Sequence, residues 1–149
     1  MRHPLLSTLF LGFLLLAGCL GITQPEDEDI KDMATQYFNQ EYPGLFSVIE
    51  ARKDNGYKQN DTHYVAEMTM RVKADRTLQE YTELIMMDQS LSALEKISRT
   101  VNLGLLKMTV PDFVPGDKLE FKRDYLFIKT DNGWLLKKQL IPDNQSESI

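Results

Sequence analysis

The chain has 149 residues, a formal net charge of −5, 42% hydrophobic and 26% charged residues. That is the size of one ordinary domain, and its acidity argues against a nucleic-acid binder, which needs a basic face for phosphates. One cysteine, Cys19, excludes an internal disulfide framework and any paired-cysteine metal or redox site, and two histidines, His3 and His63, leave little for a His-based metal cluster.

Residues 1–18 read as an export signal rather than as part of the fold. Arg2 supplies a short positive start, and Leu5 to Leu16 form an apolar run broken only by Ser7, Thr8 and Gly12. The run is too short for a membrane-spanning helix of roughly 20 residues. It ends in Leu16-Ala17-Gly18-Cys19, which resembles the lipobox of bacterial lipoproteins. The resemblance implies cleavage before Cys19 and a diacylglyceryl group on its sulfur; the alternative is an ordinary signal peptide with a free cysteine. Leu20 stands where inner-membrane retention usually has Asp. The resemblance therefore implies anchoring to the outer membrane, facing the periplasm, in a bacterium that has one. Each buried acyl methylene contributes about 0.8 kcal/mol, so two or three chains hold where one binds reversibly. Cleavage removes 18 residues of the 149, leaves 131, and moves the charge from −5 to −6 by taking Arg2 and no acid.

Residues 19–29 read as the lipidated cysteine and a tether. The acidic run Glu26 to Asp29 suits the positive end of a following helix better than a cation site. Ile30, Met33, Ala34, Tyr37 and Phe38 recur at helical spacing, with Glu41 the polar exception, and predict a helix over 29–41. Pro43-Gly44 stops it. Leu45 to Lys53 leans towards strand, and Asp54-Asn55-Gly56 reads as a turn. Tyr64, Ala66, Met68, Met70 and Val72 alternate with Glu67, Thr69, Arg71 and Lys73, the pattern of a strand with one buried face.

Residues 76–90 stay open between helix and strand. Thr77-Leu-Gln-Glu80 and Ser92-Ala-Leu-Glu95 both have capping-box spacing. Leu94, Ile97, Val101 and Leu105 repeat at helical intervals and predict a helix over 92–104. Pro111 and Pro115 bracket a loop carrying Phe113 and Val114. A last hairpin is expected from Leu119, Phe121, Tyr125 and Phe127 on one face, the Asp131-Asn132-Gly133 turn, and Trp134, Leu136 and Leu140 returning. One α+β domain over 30–142 follows, with a polar tail over 143–149. A curved antiparallel sheet wrapped round the first helix, with a helical insertion, buries both apolar faces. This order, with Lys129-Thr130-Asp131-Asn132-Gly133-Trp134 in the last hairpin, resembles the cystatin-like and NTF2-like superfamily.

Chemistry is sparse. No Gly-x-Ser-x-Gly, phosphate-binding loop, dinucleotide glycine pattern or His-x-x-x-His occurs, and no metal or cofactor is expected. His63 sits beside Asp61 in a polar stretch and reads as a turn residue. The superfamily resemblance implies a conical pocket, whose lining would be Tyr37, Met68, Met70 and Phe127; the same residues suit a plain packed core. Phe113 and Val114 are the candidate partner contacts, the alternative being that Phe113 tucks back under its loop. Arg71, Lys73, Arg76, Lys122 and Arg123 would form a basic stripe if their strands were neighbours. The expectation is a lipid-anchored periplasmic interaction or assembly module, held to the membrane through Cys19 and binding a protein of the envelope. A carrier or sensor of a small apolar ligand comes second, a small isomerase or hydrolase third.

Overall fold

A computed structural model describes residues 24–141; the signal segment, Cys19, the start of the tether and the polar tail lie outside the described residues. The described chain runs α1 (Asp27–Glu41), β1 (Phe46–Asn60), β2 (His63–Ala74), α2 (Leu78–Met87), α3 (Ala93–Thr109), β3 (Lys118–Thr130) and β4 (Gly133–Leu140). The four strands form one antiparallel sheet in the order β1-β2-β3-β4. This is the expected α+β class, with a helix packed on a curved sheet and a helical insertion.

Helix α1 forms where its apolar spacing predicts, and Asp27, Glu28 and Asp29 occupy its first turn, where the helix dipole favours negative charge. Ile30, Ala34 and Phe38 are fully buried, and the Phe38 ring lies 5.3 Å from Phe121 and 5.4 Å from Tyr42. Gly44, at φ 80°, supplies the left-handed turn into β1. The sheet meets α1 with Tyr64, Ala66, Met68, Met70, Val72 and Ala74 of β2 and Leu119, Phe121, Tyr125 and Phe127 of β3, all buried. The alternation read from β2 is therefore the core face of the sheet.

Strand β1 departs from expectation. Asp54-Asn55-Gly56 is not a turn: it lies inside a strand that pairs with β2 from Phe46 to Asn60. The extra residue is absorbed as a register shift between Lys53 and Asn55, one of three such shifts in β1. Each bulge adds twist and bends the strand, and together they curve the sheet round α1. The Asp54 carboxylate accepts from Arg52 Nε at 2.7 Å and from the Thr69 hydroxyl across the ladder, which draws this segment into the sheet. The real turn is two residues long, Asp61-Thr62, where the Asn60 side chain accepts from the Thr62 N–H at 2.9 Å.

Residues 76–90 settle as helix. Thr77 and Ser92 each cap their helices with a complete capping box closed by Glu80 and Glu95. Helix α3 runs five residues past its expected end, to Thr109. The excursion between β2 and β3 is pinned at its neck by backbone bonds: Gly116 N to Ala74 O and Ala74 N to Asp117 O, both 2.8 Å. The helical hairpin is thus a projection from a closed stem. Tyr81, Ile85, Leu103 and Leu106 join it to the core.

The closing hairpin forms as predicted, with Gly133 at φ 107°. A register shift between Leu126 and Phe127 corrects one detail. Trp134 and Leu136 face the core, but Leu140 pairs with Asp124 and so turns to the opposite face of the sheet.

The helix caps carry a pH dependence. Backbone and side-chain hydrogen bonds from Thr77 and Ser92 hold Glu80 and Glu95 below the ordinary value of 4.5, and bonds from Ser90 lower Asp88. A lowered carboxyl favours the folded state above its ordinary value, and that support is lost as pH falls through the lowered one. Circular dichroism should therefore show helix loss below about pH 4. Glu80→Gln with Glu95→Gln keeps an acceptor in each box and should flatten that acid slope. An unchanged acid midpoint in the double variant would show that other carboxylates control the transition.

Candidate functional site

The four residues expected to line a pocket are brought together, in the core. Met68, Met70 and Phe127 are buried, and half-buried Tyr37 sets its ring 5.5 Å from Tyr125, edge to face. Beside them lies the most polar part of the core. Arg123 is on the core face, opposite Met68, with its guanidinium 5.0 Å from the Phe121 ring. Arg123 Nε, the Tyr125 hydroxyl and Trp134 Nε1 are buried without a hydrogen-bond partner. Burial, with the nearby Glu41 carboxylate, pushes the Tyr42 hydroxyl up to about 12, while Arg123 pulls it down. Burial also raises Tyr125 and Tyr81. These shifted tyrosines hold their protons at neutral pH, so none is poised as a general base.

Phe113 and Val114 part company. Phe113 is half-buried, packed on the core with its ring 5.3 Å from Phe46, while Val114 is exposed. The two prolines hold the loop extended, and the Val114 N–H donates to the Asp117 carboxylate at 2.9 Å. His63 is satisfied in its turn by Thr62 at 2.9 Å and Asn60 at 3.1 Å.

The basic stripe does not assemble. Arg71, Lys73 and Lys122 share the outer face of the sheet, but Arg123 lies on the core face. Arg71 is bridged by Glu50 and Glu120, both at 2.9 Å, and Lys73 approaches Asp75 at 3.6 Å. Arg76 leaves the sheet and donates to the Gly44 carbonyl. Alternation reverses the side-chain direction at each residue, so Lys122 and its neighbour Arg123 point opposite ways.

The feature that sequence reasoning missed is on α3. Leu94, Ile97, Val101, Leu105 and Met108 are between 57% and 83% exposed. At 100° per residue these five fall on one narrow stripe, and Leu103 and Leu106, which are buried, fall on the opposite side. The helix is apolar on two faces. One packs against α2 and the core, and the other meets solvent.

Shallow clefts flank the hairpin. One of about 490 Å³ lies between the α1–β1 turn and the helices, lined by Tyr81, Leu84, Ile85 and Leu91 with Arg76 and Arg99. Others run between α2 and α3 beside Thr82, Leu103 and Gly104, and beneath the proline loop beside Leu78 and Phe113. None of these is lined by Tyr37, Met68, Met70 or Phe127. Among the described residues no group of His, Asp and Glu converges as a metal site, and no helix is long and apolar enough to cross a membrane. No protein family matches the chain, and comparison with curated proteins and with solved structures gives no match either.

Proposed function

We propose that the chain is a lipid-anchored, non-catalytic module of the bacterial cell envelope that docks a protein through the solvent face of α3. The observation that carries this is the apolar stripe from Leu94 to Met108. Contiguous apolar surface of this kind on a folded domain marks an interaction site far more often than chance exposure. Its surroundings fit a protein partner. Ser98 and Asn102 lie beside the stripe on one side and Thr100 on the other, the neutral polar rim that protein interfaces use. The helix is also stiffly presented, by a capping box at its start and by buried Leu103 and Leu106 behind it. A preorganised helix loses little entropy on binding.

The anchor rests on Leu16-Ala17-Gly18-Cys19, with Cys19 as the acylated residue and the outer membrane as the destination. Acylated Cys19 and the following tether would hold the domain within reach of neighbouring envelope proteins.

Two variants test the two halves of the reading. Cys19→Ser should abolish acylation and change processing and membrane association, so that lipid labelling is lost and the uncleaved precursor accumulates; lipid labelling and processing like the native protein's in that variant would sink the anchor. Val101→Asp should leave the melting temperature nearly unchanged, because the side chain is exposed, and cut partner capture by the anchored form about tenfold or more. Full capture by that variant would remove α3 as the docking face.

A further inference from the structure

We propose that the α3 stripe is self-complementary and that two copies of the chain pair their α3 helices antiparallel about a two-fold axis at Val101. This rests on the reading of α3 as a docking face and names the partner as a second copy. The spacing carries the argument. The stripe residues Leu94, Ile97, Val101, Leu105 and Met108 follow one another at steps of three, four, four and three. The pattern is the same read from either end. Turned end for end about Val101, the helix sets Leu94 against Met108, Ile97 against Leu105, and Val101 against its own copy. An isologous interface needs this property, because each patch meets itself. A foreign partner would place no such demand on the order.

Three further features favour a second copy. Gly104 adjoins the stripe, and a side chain there would meet nothing within 4 Å, so its surface is open for close approach of another helix. The stripe carries no charge, so two copies of an acidic chain meet without opposing like charges at the contact. The cations of α3 point elsewhere: Lys96 donates to the Met86 carbonyl at 2.8 Å, and Arg99 and Lys107 line the clefts against α2. An anionic lipid surface would call for those cations beside the stripe.

Five side chains of this size present on the order of 500 Å² per copy, so pairing buries about 1,000 Å² in all. That is the lower edge of specific interfaces and fits a reversible dimer. Anchoring both copies to one membrane would raise their effective concentration.

The full chain carrying Cys19→Ser is the material for the test, since it has no acylation site and no other cysteine. Sedimentation should show a two-chain species growing with concentration, and Val101→Asp should weaken self-association about a hundredfold at an unchanged melting temperature. Leu94→Cys and Met108→Cys, made separately in that background, should cross-link through a short bifunctional maleimide when mixed. Neither should do so by itself, because like positions lie about 21 Å apart in the antiparallel pair. A single-chain species at every concentration overturns the proposal, and so does cross-linking of Leu94→Cys to itself with none to Met108→Cys. If the chain stays single while Val101→Asp still abolishes partner capture, the docking face stands and self-pairing falls. If neither capture nor sedimentation responds to Val101→Asp, both readings fall.

Discussion

Phe38→Ala should be the most destabilising of the single substitutions considered, at about 3–5 kcal/mol. Phe38 is fully buried where α1 meets the sheet, with the rings of Tyr42, Phe46 and Phe121 at 5.4, 6.2 and 5.3 Å. Tyr42 caps α1, Phe46 opens β1 and Phe121 is held in the β3 ladder, so they cannot close together over the lost ring without moving α1. The cavity stays, and its cost adds to the lost transfer energy. Against a typical total of about 5–15 kcal/mol, the melting temperature should fall by roughly 10–20 °C. A drop below a few degrees would mean that the α1–sheet contact holds little of the stability, and would move weight to the ladder itself.

Gly56→Ala should cost about 1–3 kcal/mol although it adds one methyl group to an edge strand. A Cβ at this position would lie 2.0 Å from the Tyr64 hydroxyl and 2.7 Å from its ring. Tyr64 sits across the ladder, buried, with Trp134 edge-on at 6.4 Å and the Lys53 ammonium donating to its hydroxyl at 3.3 Å. It therefore has little freedom to swing aside. The glycine is needed for space, since its backbone is ordinary strand. Adding Tyr64→Phe, which removes the nearest atom, should recover part of the loss, so the two changes combine non-additively. Simple additivity in thermal melts would show that Tyr64 already moves freely and that the contact is soft.

These two positions divide the fold between what local pattern can reveal and what it cannot. Phe38 was legible, because α1 has one apolar face and a helix with one apolar face has only one way to bury it. Gly56 was misread. Asp-Asn-Gly is a strong turn signal, but here the Asp54 carboxylate satisfies Thr69 and Arg52 and a bulge takes up the extra residue. Pairing with β2 along its whole length outweighs a local preference for turning. The same holds for Leu140, whose side was reversed by a shift that only the β3–β4 ladder creates.

By itself the sequence determined the helix start at Ser92, the core face of β2 and the final turn at Asp131-Asn132, and it marked a cap at Thr77 while leaving residues 76–90 open between helix and strand. These depend on interactions spanning a few residues, so the residues that make them are neighbours in the chain. Only the tertiary structure decided which side of α3 would be covered. Leu94, Ile97, Val101 and Leu105 mark a helix by their period, and so do Leu103 and Leu106 together with the first set. Periodicity reports that an apolar face exists, and burial depends on what the rest of the chain brings against it. Here α2 and the core reach Leu103 and Leu106, and nothing among the described residues covers the five on the other side.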